Sequence, residues 1–125
     1  MSHVRMLSMA AVGALVVLLG ARVAAAQDPT VVNPKTVHAR LDNARTRVLE
    51  SELKPGEKEQ MHSHPACVIY VITGGKVRNH AADGTTTEGT LETGQVLYRE
   101  AVTHWAENIG TSTLRLILVE LKDPS

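Results

Sequence analysis

The feature that most constrains this chain is a pair of histidines just before an apolar, β-branched run. His62 and His64 are separated by one residue, and the run over residues 67–72 stops at Gly74 and Gly75. In an extended strand side chains alternate between the two faces, so both imidazoles point the same way. Two imidazoles on one face are half of a metal site. This stretch therefore predicts a strand that presents ligands, then a buried strand and a glycine turn.

A third histidine follows at a separation that suits a chain of short strands. His104 comes well after His64 in the sequence, which leaves room for several antiparallel strands between them. We expect the fold to bring His104 opposite His62 and His64. Solvated histidines in polar loops are the plain alternative, because a His-x-His pair alone is a weak signal.

The segment around His62 and His64 resembles the first motif of the cupin superfamily. That motif is Gly, five residues, His-x-His, three or four residues, Glu, six residues and Gly, and the spacing of Gly56, His62 and His64 matches its beginning. One departure matters: the family's glutamate ligand has no carboxylate counterpart here, and Cys67 stands close to its place. The usual site of three histidines and one glutamate therefore does not transfer whole.

The second cupin motif is also recognisable. It reads Gly, five residues, Pro-x-Gly, two residues, His, three residues and Asn; Gly94, His104 and Asn108 are similar to its ends, with one residue fewer before the histidine. Glu100 stands where proline is usual. The resemblance covers residues 46–121 and implies the all-β double-stranded β-helix, or jelly roll, of small single-domain cupins.

The resemblance implies a divalent transition metal held by His62, His64 and His104. Imidazole ligands suit iron, zinc, manganese, nickel or copper, and affinity alone does not choose among them. Three protein ligands leave coordination positions open, whereas a structural site is normally closed by a fourth. The candidates for a fourth ligand are Cys67, Gln60, which shares the histidine face by alternation, and Glu100.

The pattern of the remaining chain independently predicts a small β-barrel. About nine short strands are separated by turn signals at regular spacing, and no long helical period occurs after residue 26. Prolines at positions 29 and 34 argue against a helix in the first segment. The expected organisation is a signal peptide over 1–26, an arm and first strand over 27–45, the cupin barrel over 46–121 and a tail over 122–125.

Residues 1–26 have the pattern of a secretory signal peptide. Arg5 precedes an apolar run over residues 10–19, and three alanines at 24–26 form a small-residue cleavage site before Gln27. The apolar run is shorter than the roughly 20 residues of a transmembrane helix. We expect an exported protein, periplasmic or secreted, without stable membrane insertion after cleavage. An uncleaved N-terminal anchor is the alternative.

Charge and cysteine content exclude some functions. Without residues 1–26 the chain keeps 11 basic and 13 acidic residues, which argues against nucleic acid as a partner. Cys67 is the only cysteine, so no intramolecular disulfide forms, and it is either a buried apolar residue or a ligand. A domain near 100 residues buries a modest core, so a bound metal or a second copy in a homodimer would stabilise it.

Three functions remain open from the sequence. The resemblance admits a metal-dependent dioxygenase or isomerase acting on small molecules, for which Tyr70, Tyr98, Arg99 and Glu100 are candidate general acids or bases. Tyr70 and Tyr98 fit a place in the core or at the rim equally well. A non-catalytic module could bind a metal and a small organic ligand. The third alternative is a barrel without metal. Trp105, adjacent to His104, is expected to point away from the site by alternation.

Overall fold

Nine strands and one short helix make up the part of the chain that the computed structural model describes, residues 27–123. The predicted signal peptide lies outside these residues. Within them, no helix is long and apolar enough to cross a membrane. The elements are α1 (Pro29–Val32), β1 (Val37–Asp42), β2 (Thr46–Leu53), β3 (His62–His64), β4 (Cys67–Thr73), β5 (Gly75–Ala81), β6 (Thr86–Leu91), β7 (Val96–Arg99), β8 (Val102–Asn108) and β9 (Leu114–Leu121).

The strands form two antiparallel sheets. The first has the order β1-β2-β9-β4-β7 and the second the order β3-β8-β5-β6. Sequence neighbours often lie in different sheets, so most of the order is set by pairing between distant segments. The prediction of an all-β fold with about nine strands is confirmed.

The side chains of β9 show how the sequence directs one face inward. Leu114, Leu118 and Glu120 are buried, while Arg115 and Leu121 between and after them are exposed. The inward residues of the first sheet contact those of the second, because Leu114 packs in one cluster with Val77 of β5. A second cluster joins buried residues of four strands: Val37, Leu49, Cys67, Ile69 and Leu118.

The first segment of the described chain contains a helix that the prolines were expected to prevent. Pro29 occupies the first position of α1, where no intrahelical donor is needed and the fixed φ of proline suits the helix. Asp28 caps the helix, and its side chain accepts a hydrogen bond from Thr30 N at 2.9 Å. The prediction of a wholly extended arm is therefore wrong over this single turn.

Gly74 and Gly75 do not close a hairpin, contrary to the sequence expectation. β4 ends in the first sheet and β5 begins in the second, so the pair carries the chain from one sheet to the other. A β-carbon on Gly74 would overlap the carbonyl oxygen of Leu91. Glycine is required here by the close approach of two backbones rather than by a turn.

The histidine strand is shorter than the sequence indicates. A strand was expected from residue 57 to His64, but β3 contains only His62–His64, and Lys58 makes an isolated bridge with Glu107. The backbone of the middle residue, Ser63, donates to the carbonyl of Gln27 at 2.8 Å. The beginning of the described chain therefore lies along the free edge of β3.

Candidate metal centre

Strand pairing brings the three predicted histidines together. His62 of β3 lies directly opposite His104 of β8, and His64 lies on the same face two residues further along β3. The ring centroids are 4.8 Å apart for His62 and His64 and for His62 and His104, and 5.6 Å apart for His64 and His104. All three residues are buried. One ring nitrogen from each lies within 4.8 Å of the other two.

Hydrogen bonds behind the rings leave one nitrogen of each β3 histidine free to face inward. Nδ1 of His62 donates to the carbonyl of Gln60 at 2.7 Å. Asn33, at the end of α1, holds that segment by accepting from Gln60 N at 2.7 Å and donating to its carbonyl at 3.2 Å. With Nδ1 protonated, Nε2 of His62 carries the lone pair that a metal needs. Sequence reasoning missed Asn33 because it lies in the arm.

His64 is held by a buried chain of charged groups. Its Nδ1 lies 2.7 Å from Oε2 of Glu120, and Oε1 of Glu120 accepts from Nε of Arg47 at 2.7 Å. Arg47 in turn donates to Asp28 at 2.8 Å. These partners hold the pKa of the Glu120 carboxyl below its usual value, although burial alone would raise it. A carboxylate behind a ligating histidine fixes its tautomer and orientation.

Burial keeps His62 and His104 in the neutral form that binds metal. It lowers the pKa of His62 to about 4, with the neighbouring His64 and Arg99 lowering it further against the hydrogen bond to Gln60. It lowers the pKa of His104 to about 3, again with Arg99 contributing. Neutral imidazole is the ligand form, so the site is prepared for a cation at neutral pH.

The spacing of the nitrogens fits a metal ion after a small movement. Three nitrogens bound to a tetrahedral zinc ion at roughly 2.0–2.1 Å would be about 3.4 Å apart. The nitrogens now lie within 4.8 Å of one another, and small side-chain rotations would bring them to the zinc-bound spacing. The three histidines therefore fit a divalent transition metal in spacing, and His62 and His64 also fit it in tautomer.

The other candidate ligands lie elsewhere. Cys67 is fully buried in the apolar cluster with Leu49 and Ile69, and burial raises the pKa of its thiol. The side chain of Gln60 is exposed, because β3 begins only at His62 and alternation does not extend back to it. Glu100 is also exposed, in the short link between β7 and β8. The structure does not bring these three side chains together with the histidines.

A cavity of about 260 Å³ opens beside the histidines. Aliphatic side chains from both sheets form most of its wall, and the polar groups are few. Besides the three histidines they include Glu59, Asn79 and Arg99. Pockets with mostly apolar walls and a few convergent polar groups are the usual form of small-molecule sites.

Glu59 is a cavity group that the sequence did not indicate. Its Oε1 accepts a hydrogen bond from Ala106 N at 2.9 Å. Burial raises the pKa of this carboxyl to about 7, against the lowering effects of that hydrogen bond and of Arg99. Glu59 precedes β3 in an irregular segment, so strand periodicity could not show that it faces inward.

The aromatic residues of the sequence analysis lie outside the site. Trp105 stacks on His80 with ring centroids 3.5 Å apart and planes 1° from parallel, and the two residues are paired across β5 and β8. This agrees with the expected outward direction of Trp105. Tyr70 is half exposed, and Tyr98 reaches the cavity only at its rim.

Solved structures with this fold are numerous. A cupin domain from Bordetella pertussis Tohama I is 25% identical, and the match covers 70% of this chain and 92% of that chain with a TM-score of 0.64. A cupin superfamily protein from Desulfitobacterium hafniense DCB-2 is 16% identical, with 70% and 76% covered and a TM-score of 0.52. A structure of oxalate decarboxylase is 26% identical, with 70% of this chain but only 26% of that chain covered and a TM-score of 0.53.

Sequence comparison alone does not reveal this relationship. No family model matches the chain, and no curated protein matches it. The likeness to these structures rests on the arrangement of the strands. In this chain that arrangement brings the histidine motifs onto the paired strands β3 and β8. The resemblance expected from those motifs is confirmed, and the chain has the fold of a small cupin domain.

Proposed function

We propose that this chain binds one divalent transition metal ion through His62, His64 and His104 and holds a small organic ligand in the adjoining cavity. The observation that carries the proposal is the convergence of three ring nitrogens within 4.8 Å at the wall of that cavity. A metal with three protein ligands keeps open positions and acts there as a Lewis acid toward a ligand oxygen.

Other residues orient the metal ligands and form the wall of the cavity. Gln60 and Glu120 orient the β3 imidazoles through their Nδ1 atoms, so that both Nε2 atoms face the cavity. The aliphatic walls exclude water from the ligand. Iron, zinc, manganese, nickel and copper all remain compatible with three imidazoles, since geometry and availability rather than affinity select among them.

Metal analysis tests this proposal directly. The protein is purified without chelators, and its metal content is compared with that of His62→Ala, His104→Ala and the control His38→Ala, whose imidazole is exposed on β1. We expect one ion per chain in the parent and the control, and loss of the ion in both site variants. Equal metal content in all four proteins would reject the three-histidine site.

A second candidate function is an enzyme that moves a proton on the bound ligand. Glu59 favours it, because a carboxyl in the cavity with a pKa of about 7 suits general acid–base catalysis near neutral pH. In D₂O such an enzyme would exchange carbon-bound hydrogen of its ligand with solvent. Loss of that exchange in Glu59→Gln, with metal content retained, would support the enzyme over the non-catalytic binding module.

We also propose that the protein is exported, and the support is the leader pattern of residues 1–26. Mass spectrometry of the periplasmic or secreted form should give a chain that starts at Gln27. A mature protein that retains residues 6–19 would contradict cleavage at this point.

A further inference from the structure

Arg99 is the cation of the cavity. It lies on the inner face of β7 opposite Cys67 of β4, and it lines the cavity together with the three histidines. Its Nε atom is buried and has no hydrogen-bond partner among residues 27–123. A buried polar atom without a partner is unfavourable, and more so when it belongs to a charged group.

The groups around Arg99 do not neutralise it. No ion pair within residues 27–123 includes its guanidinium, and the nearby carboxylate of Glu120 is occupied by Arg47 and His64. Cys67 stays a neutral thiol because burial raises its pKa. Glu59, with a pKa of about 7, is only partly ionised at neutral pH. The cavity therefore holds a positive charge that lacks a fixed counter-ion.

We propose that the ligand of this cavity is a small organic carboxylate, bound by Arg99 and contacting the aliphatic walls with its hydrocarbon part. The guanidinium fork matches the two oxygens of a carboxylate, and such charge-assisted pairs are the stronger hydrogen bonds of proteins. This inference rests on the proposed function and deepens it. A divalent ion on the histidines would add positive charge to the same cavity.

The shape of the cavity restricts the acid further. Its volume of about 260 Å³ lies below the roughly 300–1,000 Å³ of pockets that enclose drug-sized molecules. Leu97 and Leu118 are among the aliphatic residues of the wall, which outnumber the polar ones. A short aliphatic or small cyclic monocarboxylate fits this distribution better than a sugar acid, whose hydroxyls would meet apolar side chains.

Titration calorimetry with sodium butyrate and sodium hexanoate tests the inference, with butyramide as the neutral control ligand. Each ligand is titrated into the full protein loaded with zinc and into the protein stripped of metal by EDTA. The variants are Arg99→Met, Arg99→Lys and the control Arg115→Met, whose side chain is exposed on the outer face of β9.

We expect each acid to bind Arg115→Met as tightly as it binds the parent. Butyramide should bind the parent at least about tenfold more weakly than butyrate does. Arg99→Met should weaken acid binding by about tenfold or more in both metal states, and Arg99→Lys should fall between, because lysine keeps the charge without the fork. If Arg99→Met does not fold, Arg99→Lys and the butyramide comparison carry the test.

Two results would overturn the inference: butyramide binding as tightly as butyrate, or Arg99→Met binding butyrate as tightly as the parent. The same titrations distinguish a failure of the metal proposal from a failure of the carboxylate proposal. A chain that takes up no zinc but binds butyrate through Arg99 refutes the metal site and leaves the carboxylate site standing. A chain that takes up one zinc ion and binds neither acid refutes the carboxylate site alone.

Discussion

Glu120 stands directly behind His64: its Oε2 lies 2.7 Å from Nδ1 of that histidine, although 56 residues separate the two in sequence. Arg47 keeps the carboxylate charged from the other side, at 2.7 Å. The arrangement is a carboxylate–histidine pair in which the carboxylate acts on the metal site through the ring. Glu120 is therefore a positioning residue, and its effect should be visible in metal affinity.

Glu120→Gln should lower the affinity for zinc by roughly 10–100-fold, because the amide orients His64 less firmly and loses the charge that Arg47 pairs. Isothermal titration of the metal-free protein measures the change. Glu52→Gln is the matched control, since Glu52 is exposed on β2. An unchanged zinc affinity in Glu120→Gln would show that the carboxylate does not support metal binding.

The metal-free protein should lose stability as the pH falls below about 6.5. The pKa values of His62 and His104 are about 4 and about 3 in the folded protein, against an ordinary value of 6.5. The unfolded chain therefore binds more protons in this range, so the stabilisation present above pH 6.5 is lost toward pH 4 and below. Over the whole range the lowered pKa of His62 contributes roughly 3 kcal/mol and that of His104 roughly 5 kcal/mol.

Urea unfolding of the metal-free protein at several pH values between 4 and 8 checks this dependence. His104→Asn should flatten the curve, because it removes one of the two lowered pKa values, whereas the exposed His38→Asn should leave the curve unchanged. A parent protein whose free energy of unfolding is constant from pH 7 to pH 4 would contradict the buried, neutral state of these histidines.

Glu59→Gln should stabilise the metal-free protein at pH 8 and have little effect at pH 5. The pKa of Glu59 is raised to about 7 in the folded protein, so folding becomes less favourable as the pH rises from about 4.5 through 7. A neutral amide avoids this cost and still accepts the hydrogen bond from Ala106 N. Equal free energies of unfolding for parent and variant at pH 8 would show that the carboxyl is solvated.

Cys67 should behave as a core residue. A thiol reagent should react with the folded protein far more slowly than with the protein in urea, because the side chain is fully buried and its thiol pKa is raised. Cys67→Ser should keep the metal stoichiometry and lower the free energy of unfolding by about 1–3 kcal/mol, since a more polar hydroxyl replaces the thiol at a fully buried position. Loss of metal in Cys67→Ser would instead identify the thiol as a ligand.

The part of the site that lies on regular strands was accessible from the sequence. Alternation puts His62 and His64 on one face, and the second histidine motif identifies the strand that supplies the third ligand. The same reasoning could have found Glu120, because a carboxylate on the otherwise apolar inward face of β9 needs a buried partner. The pairing of β3 with β8 could not be read from either segment alone.

The remaining groups of the site lie on irregular segments, where strand periodicity does not predict the direction of a side chain. Gln60 was placed on the histidine face by extending β3 backwards, but the backbone there bends, so Glu59 enters the cavity and Gln60 offers only its carbonyl. Asn33 follows a helical turn that the two prolines were expected to prevent. Periodicity describes repeated backbone geometry, so it gives no information on side chains that such segments direct inward.

The contact between Gln27 and β3 has a practical consequence for anyone handling this protein. Ser63, between the two histidines, donates its backbone amide to the Gln27 carbonyl at 2.8 Å and its hydroxyl to the Gln27 side chain at 2.9 Å. An affinity tag joined immediately before Gln27 would crowd the strand that carries two of the three histidines. Purification handles therefore belong at the other end of the chain, after β9.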